Sequence, residues 1–475
     1  MEFARQVAAD TSNRAKEVGL AFNYYRTVFA NTFDATASGE IPMAERHRAR
    51  YKEPLTFTGR RRDMTGRIER IELWHVNVPL TEPFWPSWIP GYPQTHVAQT
   101  FARFVTSDGL VGETAGPSFT TERRGLGDLL GGFMLGMAAD DMDGFRKRLR
   151  EASYLGWRNW WLEAAMWDLA GKLAGKPVYK LLQEREETVS RVRVYASTGS
   201  LRPLEERRRY LDAIREMGFD AVKIRVKYDT LEEDLGIVRG VRAAVGDGYT
   251  IGVDANQGWP VSLFRPNPDW DLERATAFAR GCDELGIAWL EEPLDMHDWH
   301  GMAELRRRVK TPIAGGELHG GWHELQPLFE HDSLEKYQPD AMFCGLTVSR
   351  RVMQECRRRG LEFSPHTWSN GFNMVVNLHA FAAWEHGGYL EYPYEPPGFV
   401  PVAREGIMPP LLANADGTLD VPQAPGLGIR IDERLLRRYG KRFHVSTPTR
   451  VALHTIHEKG LKSALALKKA KQASD

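Results

Sequence analysis

The sequence predicts an α/β protein whose larger part is a (β/α)8 barrel of parallel strands. Short apolar segments, most of them followed by a stretch of helical length, recur after about residue 187, near residues 193, 222, 252, 289, 314, 341, 362 and 390. Strands that are apolar on both faces and alternate with helices are typical of a parallel sheet covered by helices. Their number indicates a barrel. An open doubly wound sheet is the alternative, but it normally carries a glycine-rich phosphate turn after its first strand, and YASTGSLRP is a poor match.

The segment before the barrel predicts a smaller α+β domain. IERIELWHVNVPL, residues 68–80, alternates apolar and polar residues. ARFVTSDGLVGETA, residues 102–115, has an Asp-Gly turn between two alternating runs, so both segments predict an antiparallel sheet. Residues 161–182 carry apolar side chains at helical spacing, with a glycine and a proline as stop signals near the end, and predict a helical segment.

Composition and charge argue against several classes of protein. The chain has 475 residues with 63 basic and 63 acidic side chains, so no overall field points to a nucleic acid or a membrane surface as partner. No run approaches the roughly 18 to 20 apolar residues that span a bilayer, and the N-terminal residues lack an apolar signal core. The cysteines, Cys282, Cys344 and Cys356, lack the paired spacing of a disulfide framework or a zinc site. We therefore expect a cytoplasmic protein.

Three successive barrel strands each end in carboxylates. Strand three ends in Asp254 and Asn256, strand four in Glu291 and Glu292, and strand five in Glu317. The carboxyl ends of barrel strands meet at the active-site mouth, so these side chains should converge there. Converging carboxylates repel one another unless a cation neutralises them, and oxygen ligands on a rigid frame suit Mg²⁺. Because alternate strand residues face opposite sides, only one of the two adjacent glutamates can face the metal.

Strands six and seven predict a catalytic base. Strand six ends in Asp340 and strand seven in His366. A carboxylate on one strand can orient an imidazole on the next strand and stabilise its charge, which makes this pair a candidate base of the His-Asp type. Strand eight ends in Glu391, an acid across the mouth that is suited to protonate or hydrogen-bond a developing enolate.

The second strand, in AVKIRVKY, carries Lys223 and Arg225 toward the same mouth. Together with VDANQGW, WLEEPL, GGE, QPDA, SPHTW and LEYPYEPPG, this ordered series resembles the mandelate racemase branch of the enolase superfamily over about residues 66–440. The resemblance implies a modified (β/α)8 barrel with an α+β capping domain formed from N- and C-terminal segments. It also implies bound Mg²⁺ and removal of the proton α to a carboxylate.

The resemblance implies a role for each matching residue. By this resemblance, the Mg²⁺ ligands are Asp254, Glu291 and Glu317, and the catalytic dyad is Asp340 and His366. Asn256 and Glu391 are implied to face the substrate, and Lys223 is implied to bind the substrate carboxylate. The expected partner is a small-molecule carboxylate, and similar proteins imply a homo-oligomer.

The same resemblance suggests limits for the domains. They are an N-terminal extension of unknown role (1–65), a capping domain (66–186), the barrel with the active site (187–398), a C-terminal segment that returns to the capping domain (399–445) and a basic tail (446–475). Within the extension, residues 19–33 are apolar enough to predict a helix.

The sequence departs from the family pattern at Arg225, where similar proteins carry a second lysine that acts as a base. A guanidinium group keeps its proton at any ordinary pH, so Arg225 is expected to bind a substrate hydroxyl or carboxylate. One base then remains, His366, which favours dehydration of an acid sugar to a 2-keto-3-deoxy acid through a metal-stabilised enediolate. A racemase or epimerase of a 2-hydroxy or amino acid is the alternative. A catalytically silent barrel is disfavoured, because it has no physical reason to keep so many acids in one mouth.

An aromatic segment of the capping domain is a candidate lid. Residues 83–96, PFWPSWIPGYPQTH, include Trp85, Trp88 and Tyr92. These side chains are suited to exclude water, to stack on the C–H faces of a sugar acid or to receive an apolar substrate, and packing between cap and barrel is a further alternative. His319 is another candidate substrate contact.

Overall fold

The fold follows from a computed structural model that describes residues 66–118, 126–155, 158–183, 187–262, 264–384 and 386–474. The predicted N-terminal extension, with its expected helix over residues 19–33, lies outside these ranges. Among the described helices, none is long and apolar enough to cross a membrane.

A four-stranded antiparallel sheet forms the core of the capping region. Its strands are β1 (Ile68–Phe84), β2 (Gln94–Thr106), β3 (Val111–Pro117) and β13 (Gly440–Ser446), in the order β13-β1-β2-β3. The predicted Asp-Gly turn joins β2 to β3, with Gly109 at a φ of 85° that favours glycine. β13 comes from the far end of the chain and pairs with the edge of β1, so both ends of the described chain build this sheet.

Helices follow this sheet along the chain. They are α1 (Leu126–Met134), α2 (Met142–Leu155), a 3-10 turn (Trp160–Leu162), α3 (Glu163–Ala174) and α4 (Val178–Leu182). The predicted helical segment over residues 161–182 is confirmed, with a break where Gly175 adopts a φ of 64° and Pro177 precedes α4. α3 is buried along almost its whole length, because it packs against β3.

Eight parallel strands form the second sheet, as predicted. They are β4 (Arg191–Ser197), β5 (Ala221–Arg225), β6 (Thr250–Asp254), β7 (Trp289–Glu291), β8 (Ile313–Gly315), β9 (Lys336–Tyr337), β10 (Glu362–Phe363) and β11 (Leu390–Pro393). Their order is β10-β9-β8-β7-β6-β5-β4-β11, and β12 (Thr418–Asp420) pairs antiparallel with β4. The two end strands are bridged by the Ser364 hydroxyl, which donates to the Tyr389 carbonyl over 2.7 Å. The sheet is therefore curled in the manner of a barrel.

The predicted position of strand six was wrong by a few residues. The strand ends at Tyr337, and Asp340 instead caps a short helix, accepting a hydrogen bond from the backbone N–H of Met342. The apolar run after Asp340 that suggested a strand is the buried face of this helix.

Helices alternate with the parallel strands. They are α5 (Leu204–Glu216), α6 (Leu231–Val245), α7 (Leu272–Glu284), α8 (Trp299–Arg308), α9 (Trp322–Glu330), α10 (Ala341–Cys344), α11 (Leu346–Arg359) and α12 (Gly371–Ala382). α13 (Pro401–Glu405), α14 (Glu433–Tyr439) and α15 (Pro448–Ser474) follow the barrel. Thr230 and Glu233 form a reciprocal capping box at the start of α6, one example of how local sequence fixes a helix end.

Large side chains fill the barrel interior below the mouth. Trp289 packs with Tyr195, and the Lys336 ammonium lies 4.6 Å from the centre of the Trp289 ring. A side chain at Gly252 would collide with the Trp289 ring, so this position on β6 needs glycine. The interior is thus a packed core, and chemistry is restricted to the mouth above it.

A buried histidine joins the barrel to the C-terminal segment. His379 on α12 is fully buried; its Nδ1 accepts from the backbone N–H of Tyr179 over 3.2 Å, and its Nε2 lies 3.1 Å from the Leu427 carbonyl. Burial lowers the pKa of His379 to about 4, from an ordinary value of 6.5.

We expect His379 to make stability fall as the pH falls from about 6.5 to about 4. In this window the unfolded chain protonates the imidazole and the folded chain does not, so the unfolded state binds more protons and the free energy of unfolding decreases toward low pH, by roughly 3 kcal/mol at most. Urea unfolding of wild type and His379→Gln at about pH 7.5 and about pH 4.5 measures this effect. The variant should lose clearly less stability across the window, and an equal loss in both proteins would contradict the prediction.

Candidate active site

The predicted site residues meet at the carboxyl ends of the parallel strands. Arg225, Asp254 and Glu291 are the last residues of β5, β6 and β7, and Glu317 follows the end of β8 by two residues. All four side chains are buried. The structure therefore brings together the acids and cations that the sequence pattern assigned to one mouth.

Lys223 is the centre of a buried charge cluster. Its ammonium nitrogen lies 2.5 Å from Glu291, 2.8 Å from Glu391 and 3.4 Å from Asp254, and the side chain is fully buried. Burial lowers the pKa of Lys223, but the charges of Glu291 and Glu391 outweigh burial, so the net shift is upward and the amine stays charged. Lys223 pairs here with the protein's own acids, so its binding of a substrate carboxylate stays a prediction.

Arg225 is bound on its polar edge and lies beside two tryptophan rings. Its Nη1 contacts Asp254 in a short ion pair, and its Nε donates to the Thr198 carbonyl over 2.6 Å. The guanidinium carbon lies 5.2 Å from the ring centre of Trp88 and 5.5 Å from that of Trp368. Burial lowers the pKa of Arg225, yet Asp254 and the other acids raise it further, so Arg225 is a permanent cation.

The residues after β6 and β7 have unusual backbone conformations. Asn256 has a φ of 47° and Glu292 a φ of 45°. Both angles lie in the left-handed region of backbone conformation, which residues other than glycine and asparagine rarely adopt. The Asn256 N–H donates to Asp254 over 2.8 Å, which closes a tight turn at the strand end. Glu292 is buried, and its Oε2 has no hydrogen-bond partner among the described residues. Burial, and then the nearby charges of Glu317 and Asp254, raise the pKa of Glu292 well above its usual range.

His366 and Asp340 form the predicted pair. The His366 Nδ1 lies 2.9 Å from Asp340 Oδ2, and Nε2 lies 3.4 Å from Glu317 Oε2. Burial lowers the pKa of His366, but Glu317, Glu391 and Asp340 outweigh burial and raise it to about 10. With the Nδ1 proton donated to Asp340, Nε2 is the nitrogen that exchanges protons.

Two asparagines that the sequence reasoning missed hold Asp340. Asn373 donates to Asp340 Oδ2 over 2.6 Å, and Asn377 donates to Oδ1 over 3.0 Å. Both lie on α12, one turn apart in the otherwise apolar run GFNMVVNLHAF. Two amides at this spacing in a buried helix require polar partners, and this signal was available in the sequence. Ser197 and Gln338, which bind Glu391 and Glu291, gave no comparable signal.

Glu391 is held as a carboxylate. Its Oε1 accepts from the Ser197 hydroxyl over 2.7 Å and pairs with Lys223, and its Oε2 accepts from the backbone N–H of Thr367 over 2.7 Å. Burial raises the pKa of Glu391, but Lys223, His366 and Arg225 outweigh burial and bring it below its usual range. An ionised carboxylate accepts hydrogen bonds, so this environment does not fit the predicted role of acid.

A cavity of about 580 Å³ opens above this charge cluster, between the capping sheet and the barrel. Arg225, Asn256, Glu317 and His366 line it from the barrel. The other lining residues are Asn77, Pro86, Trp88, Ile89, Tyr92, Pro93, Gln94, Thr95, His96, Val97, Ala98, Pro117, Ser118, Trp259, Leu318, Phe343, Trp368, Ser369 and Phe399. The volume is in the range typical of small-molecule sites.

The predicted lid and substrate contacts differ in how they meet this cavity. Trp88 and Tyr92 belong to its lining. Trp85 is 54% exposed and lies outside the described lining, as does His319, whose Nε2 lies 3.1 Å from the Met296 carbonyl. The lid segment is docked, because Ser87 donates to Asn256 Oδ1 over 2.8 Å and its N–H donates to the Gly199 carbonyl over 2.9 Å.

Comparison with known proteins agrees with this geometry. Residues 205–435 match the family model described as enolase C-terminal domain-like. L-talarate/galactarate dehydratase from Salmonella typhimurium is 28% identical over 400 residues, which cover 79% of this chain and 93% of that protein. The matched part of the chain is thus similar to the enolase superfamily.

Further relatives are named for more than one reaction. D-galactarolactone cycloisomerase from Agrobacterium fabrum is 29% identical over 290 residues, 58% of this chain and 72% of that protein. The crystal structure of the Salmonella typhimurium dehydratase is 26% identical, covers 87% of this chain and 97% of its own, and has a TM-score of 0.67. The crystal structure of a variant of L-talarate/galactarate dehydratase, liganded with Mg and L-glucarate, has the same sequence identity, coverage and TM-score.

Most of the charged side chains at the mouth pair with one another. Among the described residues, no group of three or more acidic, histidine or cysteine side chains is arranged to hold a metal ion. The reason is visible in the contacts: Lys223 and Arg225 bind Asp254 and Glu291, two of the three predicted ligands.

Removing the Lys223 charge should destabilise the protein strongly. Lys223→Met would leave Glu291 and Glu391 buried without their cation, and losing one partner of a buried pair typically costs about 3–5 kcal/mol. The matched control is Lys336→Met, a buried lysine whose partner Glu362 is exposed, so that about 1–2 kcal/mol is expected. Denaturant unfolding of both variants measures the difference, and equal losses would argue against the central role of Lys223.

Proposed function

We propose that the protein is a Mg²⁺-dependent enzyme that removes the proton α to a carboxylate and dehydrates an acid sugar to a 2-keto-3-deoxy acid. The observation that carries the proposal is the His366–Asp340 pair, in which Nδ1 is bound at 2.9 Å while the histidine lines the cavity. The relatives named as dehydratases support the same class of reaction. The expected partner is a small acid, and the cytoplasmic location, the homo-oligomer and the domain limits stay predictions.

The donor set fits a divalent cation. Glu292 Oε2 is buried without a partner, and the pKa values of Asp254 and Glu317 are raised, first by burial and then by neighbouring acids. Such a surplus of buried negative charge is what a cation would neutralise, and carboxylate oxygens are the ligands that Mg²⁺ prefers. Asp254, Glu291 and Glu317 would hold it, and it would supply positive charge for the substrate carboxylate during proton removal. A silent barrel would have no such requirement.

His366 performs both proton transfers in this scheme. The acids around His366 favour its protonated form, whereas the reaction requires the neutral imidazole, which neutralisation of the Glu317 charge would favour. The Nε2 of His366 then takes the proton from the α carbon, and the C–H electron pair passes into the carboxylate. The protonated Nε2 then gives that proton to the hydroxyl on the β carbon, the C–O bond breaks and water leaves. The resulting enol tautomerises to the keto acid, so the net change is the loss of one water. Asp340 is a positioning residue that keeps the imidazole oriented.

Arg225 is the reason to prefer dehydration over racemisation. A two-base racemase needs a proton acceptor on each face of the α carbon, and Arg225 occupies the position of the second base in similar proteins. Its guanidinium is permanently charged and pairs with Asp254. Product analysis separates the alternatives, because a keto acid that reacts with semicarbazide indicates dehydration and inverted stereochemistry without water loss indicates racemisation.

Replacing His366 should abolish chemistry while leaving the site assembled. His366→Asn should lose turnover by about 10³-fold or more and should lose exchange of the α proton in heavy water, because the general base is absent. The measurement is a screen of mono- and diacid sugars with Mg²⁺ for keto-acid formation, followed by proton exchange on any substrate found. His323→Asn, at an exposed histidine, is the control and should behave as wild type. If His366→Asn exchanged the α proton at the wild-type rate, His366 would not be the general base.

Metal binding should depend on Glu317 and not on His366. Calorimetric titration with Mg²⁺ should show at least a 10-fold weaker Kd for Glu317→Gln, since one anionic ligand is lost, whereas His366→Asn should still bind. Glu335→Gln is a matched control, because this acid binds Arg306 and the backbone of Ile313 away from the mouth. Wild-type affinity in Glu317→Gln, or no binding by wild type, would count against the proposed metal site.

A further inference from the structure

The cavity above the site is lined by an apolar wall. The wall consists of Trp88, Ile89, Val97, Phe343, Trp368 and Phe399, and all six residues line the cavity. Trp88 and Val97 come from the capping sheet or the segment before β2, whereas Phe343, Trp368 and Phe399 come from the barrel side. The wall is therefore built by both parts of the fold.

Aromatic packing makes this wall rigid. Trp368 stacks on Phe399 with ring centres 5.0 Å apart, and Trp88 meets Trp368 edge-on at 5.3 Å. Phe84 lies behind them, 5.6 Å from both tryptophans. A side chain at Gly199 would collide with Phe84 and Trp368, so the backbone there also depends on this packing. Offset and edge-on aromatic pairs hold their geometry, so the wall keeps its shape. The indole N–H of Trp368 is buried and has no hydrogen-bond partner among the described residues, but as an uncharged donor it does not neutralise a carboxylate.

The charges of the cavity lie on the opposite side, at the strand ends. Arg225 is the one permanent cation among the described residues that line the cavity, and it is paired with Asp254. Three polar residues of the lining bind one another: Thr95 lies 2.9 Å from His96 Nδ1, and Gln94 donates to the His96 carbonyl over 3.0 Å. A second carboxylate on a substrate would thus meet the apolar wall with its charge uncompensated, which is costly.

We infer that the substrate is a monocarboxylate whose carbons far from the reacting carboxylate are apolar, such as a deoxy sugar acid, and that diacids are rejected. This inference rests on the proposed function for the reacting end of the molecule. The carboxylate and the adjacent hydroxyl lie at Glu317, Asn256 and His366, while the apolar end lies against Trp88, Trp368 and Phe399. The wall selects by removing apolar surface from water.

Binding of unreactive acids tests the inference without requiring turnover. Hexanoate and adipate have six carbons, lack hydroxyl groups and differ only in the second carboxylate. With Mg²⁺ present, quenching of tryptophan fluorescence should give a Kd at least 10-fold lower for hexanoate than for adipate, and hexanoate should also bind more tightly than gluconate. Adipate or gluconate binding as tightly as hexanoate would overturn the inference.

A cation placed on the wall should reverse this preference. Ile89→Lys should raise the affinity for adipate relative to hexanoate at least 10-fold, because the second carboxylate then has a partner. Ile456→Lys, on α15, is the matched control and should leave the ratio unchanged. An unchanged ratio in Ile89→Lys would overturn the assignment of the wall to the far end of the substrate.

Turnover separates the inference from the proposed function. Pairs of hexonates and 6-deoxyhexonates of the same configuration, and the matching hexarates, should show kcat/KM at least 10-fold higher for the deoxy acids. If hexarates react fastest, the proposed function survives and the inference is wrong. If no acid reacts but hexanoate binds more tightly than adipate, the inference about the wall survives and the proposed function is wrong.

Discussion

The ion pairs of Lys223 with three buried carboxylates are the constraint on which the mouth of the barrel depends. Acids from β6, β7 and β11 point into one small volume, and Lys223 contacts all three. Without a cation they would repel one another and take up protons, as the raised pKa values of Asp254 and Glu317 already indicate. Even with Lys223 and Arg225 in place, Glu292 retains an unpartnered buried oxygen. The protein thus maintains a surplus of negative charge at a site that is rigid, buried and adjacent to a cavity, which is the condition for binding a divalent cation.

Arg225 also connects the barrel to the cap. Arg225 binds Asp254 at its edge and lies beside Trp88 from the lid segment and Trp368 from the segment after β10, which also carries His366. Ser87 and Asn256 add a hydrogen bond across this junction. Arg225 therefore serves as a fixed contact between the charge cluster, the lid segment and the cavity wall.

Much of the fold and the membership of the site were predictable from the sequence. Seven of the eight parallel strands lie where the apolar pattern predicted them, because a strand buried on both faces must be apolar along its length. The sixth strand was misplaced, because the apolar run after Asp340 is equally compatible with one buried helical turn. Asn373 and Asn377 were visible as two amides in an apolar helix, whereas the roles of Ser197 and Gln338 depend on strand neighbours that are far away in sequence.

The sequence by itself determined the order of strands and helices, the acids at successive strand ends and the arginine in place of a lysine, since each of these is a local pattern with a fixed period or position. The tertiary structure alone decided that Lys223 and Glu391 pair with each other, that Glu292 is left without a partner and that Trp85 lies outside the cavity that Trp88 lines. Such contacts depend on the distances and burial created when two sheets from distant parts of the chain close over one mouth, and no local pattern carries that information.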